Sequence, residues 1–465
     1  MLKRKNPPET NGGNGEAGGV KKARSNTPIT IQAVAGSYDR VLHGVLITVE
    51  DDKVDFADSF LLNAHTSAIR CLALSPPSLP MPGRLQKVML ATGGTDEKIN
   101  VYNLSAHPPS ARSRKSMAST SLGPRPVVED PKNRELGTLL HHDSTVTRLI
   151  FPNKSKLMSS SEDSTIAVTR TRDWLHLASM KAPIPKARGR PSGDTAPFGG
   201  APSGVNDFAI HPSMKLMISV SKGERSIRLW NLMTGKKASV LDFDRDVLEE
   251  IGERKHWTSG EGRKVAWGSS SEGDEWAVCF DREIIVFSME AKPRCRIMGG
   301  TKTQLHNFQY ITTDAEIGSA VLAASTESGQ ILFFSTEEET LEKPESGLPV
   351  AKLVAQLGGK EDGVSGRIKD FAVVKTGGAG DERLMIIGGS SDGKLRVWSL
   401  GLGDLKEACG KAEKAVCKLL GVTETQNRIT CVGAFAMIPR PDGAEESEDD
   451  DIDEGGSDDD ELSDD

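Results

Sequence analysis

Six five-residue stretches limit most tightly what this chain can become: KINVY (98–102), TIAVT (165–169), SIRLW (226–230), EIIVF (283–287), QILFF (330–334) and KLRVW (394–398). In each, the second and fourth residues are apolar, the period-two signature of a strand with one face buried. Three positions before the first apolar residue stand Asp96, Asp163, Glu224, Asp281, Ser328 and Asp392, all in turn-like sequence such as GGTDEK and SSDGK. A β-rich run precedes each turn (KVMLATGG, KLMSSS, KLMISVS, EWAVCF, SAVLAAS, LMIIGGS). Another lies upstream again (AIRCLALSP, TVTRLIFP, VNDFAIHP, GRKVAWG, FQYITT, IKDFAVV). The recurring unit is therefore three or four antiparallel strands, and repetition at this period indicates a propeller or related array.

A seventh unit has to be assembled from both ends of the chain. RITCVGAFAMI (428–438) supplies an inner strand with nothing but acidic sequence after it, while PITIQAVAG (28–36) and RVLHGVLITV (40–49) are two strands with no inner strand before them. Joining them closes a ring of seven and removes the open sheet edges that a stack of sheets must otherwise protect. The expected fold is all-β: a seven-bladed propeller over 29–440, flanked by a disordered basic tail (1–28) and a disordered acidic tail (441–465). The units are longer than the roughly 40–45 residues of a minimal blade. Insertions are expected near 105–134, 181–204, 244–262, 336–349 and 401–415.

Charge is segregated along the chain. The net charge is −8, yet fifteen acidic residues and no basic one lie between Asp442 and Asp465, leaving +7 on everything before them. Residues 1–28 hold six basic residues against two acidic. Two basic clusters on a Pro/Gly/Asn spacer, Lys3, Arg4 and Lys5 followed by Lys21, Lys22 and Arg24, read as a two-part nuclear import signal. The insertions SAHPPSARSRKSMASTSLGPRP and KAPIPKARGRPSGDTAPFGG are basic and too rich in Pro, Ser and Gly to bury a core. Their Arg112, Arg114, Lys115, Lys186, Arg188 and Arg190 are candidates for contact with RNA phosphates or a protein partner, without aromatic residues to stack on bases. The acidic tail reads as a polyanion suited to basic protein partners, with Ser447, Ser457 and Ser463 as substrates for an acid-directed kinase.

Chemistry is harder to find than surface. No apolar run approaches the ~18 residues of a membrane span, so no membrane association is expected, and the amino terminus has no apolar core of a secretory signal. The six cysteines form no CxxC pair and no zinc-ligand spacing, so they read as buried thiols in a reducing compartment, with no metal and no cofactor. There is no G-x-S-x-G elbow, no H-E-x-x-H and no phosphate loop; SGEGRK (259–264) lacks the spacing. The turn acids invite a catalytic reading, but they recur unit after unit, whereas a catalytic residue occurs once. His65 and His142, four residues before their inner strands, stand in the right order to pair with Asp96 and Asp163 in buried polar networks. Catalytic residues are expected to be absent.

The entering histidines (His65, His142), the turn acids (Asp96, Asp163, Asp281, Asp392, with Glu224 in the same position) and the terminal tryptophans (Trp230, Trp398) resemble the WD40-repeat family. AHTSAIRCLALS, ELGTLLHHDSTVTRLIF, SSSEDSTIAV, RTRDW, VNDFAIHPSMKLMISVS, RSIRLWNLMTGKKA and GSYDRVLHGV are similar to one subfamily, the maintenance-of-killer and PAK-type-kinase-interacting WD-repeat proteins. The similarity runs over about 29–440 and is most specific over 205–240. It implies a non-enzymatic scaffold of the nucleus and nucleolus acting in assembly of the 60S subunit. The implied partners are large-subunit assembly factors, ribosomal proteins and pre-rRNA, with the protein a monomer inside a large complex. It also implies an alternative, negative regulation of a PAK-type kinase; the acidic tail suits a third reading, histone or chromatin binding.

Overall fold

The computed structural model describes residues 28–440, except 51, 81–84, 110–124, 129, 185–202, 252–259, 299–302, 314–319, 346, 378–381 and 411–413. The strands arrange as a seven-bladed β-propeller, each blade a four-stranded antiparallel sheet. Blade one is β4 (Ile69–Leu74), β5 (Lys87–Gly94), β6 (Ile99–Ser105) and β7 (Arg134–Leu139). Blade two is β8 (Val146–Asn153), β9 (Lys156–Ser161), β10 (Thr165–Arg170) and β11 (His176–Lys181). Blade three is β12 (Val205–Ile210), β13 (Leu216–Ser221), β14 (Ser226–Asn231) and β15 (Lys236–Asp242). Blade four is β16 (Lys264–Ser270), β17 (Gly273–Cys279), β18 (Glu283–Ser288) and β19 (Pro293–Met298). Blade five is β20 (Leu305–Thr312), β21 (Ala320–Thr326), β22 (Gln330–Ser335) and β23 (Lys352–Gly358). Blade six is β24 (Ile368–Thr376), β25 (Arg383–Ser390), β26 (Lys394–Gly401) and β27 (Lys418–Glu424).

The seventh blade joins the two ends of the described chain: β28 (Ile429–Ala436) is its inner strand, followed by β1 (Ile29–Ser37), β2 (Val41–Glu50) and β3 (Lys53–Asn63). β1 and β28 pair antiparallel, with Ala33 opposite Ala434 and Ala35 opposite Val432. The fourth strand, β3, goes beyond the two amino-terminal strands that the sequence pattern reveals. Closure is then extended past β28: the Met437 N–H donates to Thr30 O at 2.8 Å and the Ile438 N–H to Ala106 O at 2.8 Å. His107 Nδ1 lies 2.9 Å from Ile438 O, so this segment ties the closing blade to blade one.

Each blade buries both faces against its neighbours, so its second and third strands are buried almost throughout, as in β13 and β26, whereas the inner strands keep buried and half-exposed positions, as in β4 and β8. Val34, Leu42, Phe60, Ile69, Leu90 and Cys431 pack the closing blade on blade one; Ile31, Val45, Ile387, Val397 and Val432 pack it on blade six. Burial of side chains this large contributes ~1.5–3 kcal/mol each, so ring closure rests on side-chain packing as much as on the β1–β28 ladder. Two of the inserted stretches carry helices. α1 (Arg245–Glu250) lies between blades three and four, where Phe243, Val247 and Ile251 pack with Phe280 and Phe287. α2 (Leu402–Gly410) follows β26, with Leu402, Leu405 and Ala408 buried against Leu384 and Leu400.

Candidate interaction surfaces

Strand direction alternates within a blade, so the loops divide between two faces. The turns between second and third strands lie on one face, here called upper, together with the segments that enter each inner strand. The turns joining first to second and third to fourth strands lie on the other, lower face.

The upper face holds the acidic turn residues. In blade one, His65 Nδ1 is 2.9 Å from Asp96 Oδ1 and Nε2 is 2.9 Å from Thr92 Oγ1. The Thr66 N–H donates to Asp96 Oδ2 at 2.9 Å. Blade two repeats the arrangement: His142 Nδ1 is 2.9 Å from Asp163 Oδ2 and Nε2 is 2.8 Å from Ser159 Oγ. Burial by itself raises the Asp163 carboxyl, but the His142 ring and the Thr165 hydroxyl and N–H outweigh it and bring it down to about 2. Asp96 is lowered in the same way, against its burial, by Thr66 and His65. Both histidine side chains are fully enclosed, at 0% exposure, which makes these pairs supports inside the blade and unavailable to a substrate.

Blades three and six reach the same end with different residues. Glu224 meets Arg228 through both guanidinium nitrogens, Nη2 to Oε1 at 2.6 Å. Asp392 meets Arg396 at 2.9 Å, and Arg396 also donates to Gly363 O at 2.8 Å. Arg228 and Arg396 are the third residue of their strands in SIRLW and KLRVW, so the cation comes from the strand where no histidine enters the blade. That signal was present in the sequence: an arginine four residues after the turn acid. The tryptophans are anchored separately. Trp230 Nε1 donates to Ser219 Oγ at 2.8 Å and Trp398 Nε1 to Asp362 Oδ2 at 3.0 Å. Asp281 is placed with no histidine; its partner is Arg263 at 3.0 Å.

The seven inner strands surround a central channel whose wall is polar and cross-linked from blade to blade. Thr147 Oγ1 donates to Val205 O at 2.7 Å, Asn206 Nδ2 to Gly262 O at 2.9 Å and Thr430 Oγ1 to Ile69 O at 2.7 Å. One layer deeper, Asp207 Oδ2 accepts the Val265 N–H at 3.1 Å and Asp370 Oδ2 accepts the Val432 N–H at 2.8 Å. Arg148 Nε stands 3.4 Å from Asp207 Oδ1. At the upper mouth the charge is positive: Lys369 Nζ lies 3.4 Å from His306 Nε2. Burial, reinforced by Lys369 and Arg263, pushes the His306 imidazole down to about 3. On the lower side the channel opens into a cavity of about 370 Å³ between blades two and five, lined by Phe151, His211, Trp267 and Tyr310 among others. His211 Nε2 is 3.0 Å from Asp274 Oδ2, and its ring meets Trp267 edge-on at 4.8 Å.

Among the described residues no group of three or more His, Cys, Asp or Glu side chains is arranged to hold a metal ion. The six cysteines are all free thiols, and burial pushes Cys71, Cys279, Cys295 and Cys417 up to about 12, far from a reactive thiolate. Arg112, Arg114, Lys115, Lys186, Arg188 and Arg190, and the import clusters Lys3, Arg4, Lys5, Lys21, Lys22 and Arg24, lie outside the described residues. Arg125, near the end of the first basic insertion, is described: it reaches the closing blade, 3.5 Å from Asp58, which also holds His43 at 2.9 Å.

Comparison with known proteins agrees with this architecture. The family model described as "WD domain, G-beta repeat" matches residues 133–168, the stretch from β7 through β10. The chain is 22% identical over 402 residues to the "p21-activated protein kinase-interacting protein 1-like" of Danio rerio, covering 86% of this chain and 80% of that protein. It is 22% identical over 406 residues to the Xenopus laevis protein of the same description, covering 87% and 82%. It is 27% identical over 400 residues to "Protein MAK11" of Saccharomyces cerevisiae, covering 79% of this chain and 77% of that protein.

Proposed function

We propose that this WD-repeat propeller is a non-enzymatic scaffold for assembly of the large ribosomal subunit, working in the nucleolus on pre-60S particles. The observation that carries the reading is similarity to Protein MAK11 along about four-fifths of both chains, together with the likeness of the repeats to large-subunit assembly factors. The geometry supports a binding role. The recurring acids are occupied inside the blades, and what is left over is a rigid disc with two charged faces and a polar channel. Such a disc acts by occupancy: it holds or masks a protein or ribonucleoprotein surface and leaves when maturation replaces that surface. Arg112, Arg114, Lys115, Lys186, Arg188 and Arg190 supply pre-rRNA phosphates with sequence-independent, salt-sensitive contacts in this scheme.

Affinity purification of the tagged full chain tests it. Recovery of large-subunit precursor RNA with ribosomal proteins and assembly factors is the expected result. Recovery of a kinase without precursor RNA refutes it and favours the second reading, regulation of a p21-activated kinase, which the descriptions of the vertebrate relatives support.

A further inference from the structure

The lower face is electrically divided. In blade two the register sets Lys156 opposite Arg170, and the two turns touch, with the Thr171 N–H donating to Ser155 O at 3.0 Å. In blade three Leu216 pairs with Asn231 and Asn231 with Lys236, while the Leu232 N–H donates to Lys215 O at 2.9 Å. These four turns therefore gather Lys154, Lys156, Arg170, Arg172, Lys215, Lys236 and Lys237, all exposed, around a single carboxylate, Asp173. Asp173 is taken by Arg170, and the other six cations form no salt bridge among the described residues. On the same face, blade four presents Glu272, Asp274 and Glu290, and blade five Glu337, Glu338 and Glu339.

The described chain ends beside the positive half. β28 runs from the upper face to the lower, and Met437–Arg440 continues across to blade one, where Arg440 Nε donates to Pro108 O at 3.1 Å. Pro108 follows Ser105, which pairs with Lys87 at the lower end of blade one, adjacent to blade two. The first acidic residue, Asp442, is two positions further on, and fifteen are spread over the segment to Asp465. Twenty-five residues at ~3.3 Å each reach roughly 80 Å, far more than the step from blade one to blade three. The opposite charge of blades four and five turns the segment away from the other half of the face.

We propose that residues 442–465 dock in cis on the basic arc of blades two and three, covering it until a competing polyanion displaces them. The interaction is electrostatic and distributed over many carboxylates, so it is salt-sensitive and readily exchanged. Phosphorylation at Ser447, Ser457 or Ser463 adds charge to the same segment and tightens the contact. The inference stands whether or not the protein serves ribosome assembly, because both the ligand and its surface belong to this chain.

The test is zero-length carbodiimide cross-linking of the full-length monomer, read by mass spectrometry. Cross-links from tail carboxylates to Lys154, Lys156, Lys215, Lys236 and Lys237 are expected at low salt and lost at high salt. Charge reversal of Lys154, Lys156, Lys236 and Lys237 to Glu, all exposed in turns or at strand starts, removes those four amines and, through the lost positive charge, also the cross-links to the untouched Lys215, while thermal unfolding stays unchanged. In a parallel measurement, a chain ending at Arg440 binds a poly(U) oligonucleotide at least five-fold more tightly than the full chain, and the four reversals remove that gain. Cross-links concentrated on Lys264 or Lys369 of the channel, or a Lys215 cross-link that survives the reversals, overturn the proposal. So does RNA affinity unchanged by loss of the tail, which makes the arc an open RNA surface.

Discussion

Asp163 is the carboxylate on which the blade-two network converges, and its replacement offers a quantitative test of the support role of the turn acids. It accepts from the His142 ring at 2.9 Å, the Asp143 N–H at 3.2 Å, the Thr165 N–H at 2.7 Å and the Thr165 hydroxyl at 2.6 Å. Its side chain is 12% exposed, so water replaces these partners poorly. The drop of the carboxyl from 3.8 to about 2 corresponds to about 2 kcal/mol of stability in the ionised form. Asp163→Ala also strips a partner from the enclosed His142 ring, which keeps Thr165 Oγ1 at 3.1 Å, adding about 1 kcal/mol. The expected cost is about 3 kcal/mol. With an unfolding entropy of ~2 cal/mol/K per residue over roughly 400 residues, that lowers Tm by about 4 °C. Calorimetry of the wild type, Asp163→Ala, Asp163→Asn and the exposed control Asp173→Ala reads it directly, with the control nearly unchanged. Because the folded carboxyl lies below its unfolded value, its contribution is complete above about pH 4 and fades as pH falls towards 2. The gap between wild type and Asp163→Asn therefore narrows over that window. A Tm for Asp163→Ala within 1 °C of wild type, or a gap indifferent to pH, refutes the reasoning.

Three other perturbations probe different layers. Arg396→Met leaves the Asp392 carboxylate, 12% exposed, without its cation and costs about 3 kcal/mol by denaturant titration, most of it recovered in the double variant Arg396→Met/Asp392→Leu. Gly268→Ala drives a methyl into the Tyr310 ring, lowering stability by about 1–3 kcal/mol, and Tyr310→Leu in the same chain relieves part of the loss in thermal melts. Deletion of residues 1–28, which carry the two basic clusters, moves a fluorescent fusion from the nucleus into the cytoplasm; unchanged nuclear location removes the import role.

The propeller was legible because the third strands are buried on nearly every position and run apolar, as in β14 and β26, while the inner strands bury alternate or spaced positions, as in β4. The outer strands gave little signal. In β7, β11 and β15 nearly every residue is exposed or half-buried, so no periodicity is imposed and the count of strands per unit stayed open between three and four. β3 was hidden for a related reason: KVDFADSFLLN carries Asp55 and Asp58 on a strand with only two buried residues, and Asp58 serves as a polar tie to His43 and Arg125. The pairing of His65 with Asp96 followed from residue order within a unit. The arginine-supported blades did not, because Arg228 and Arg396 sit inside a strand, where a charged residue normally marks an outward position.

That substitution of arginine for histidine bears on where function resides. A blade needs its turn acid held, and this chain holds it with an imidazole in blades one and two and a guanidinium in blades three and six. The role is constant while the chemistry varies, as expected of a support selected for packing and not for reaction. Partner recognition has the opposite character: it needs features that differ from blade to blade, since a seven-fold repeated surface offers seven equivalent registers and no unique pose. The upper mouth at Lys369 and His306, the mixed polar and aromatic cavity beside Trp267 and Tyr310, and the division of the lower face each break the repeat. Substitutions at exposed non-repeating positions, such as Lys154 and Lys236 of the lower face, are therefore expected to change binding while leaving Tm nearly fixed, and substitutions at the turn acids to do the reverse. A paired measurement of Tm and partner capture across both sets decides the matter, and correlated losses in all variants defeat it.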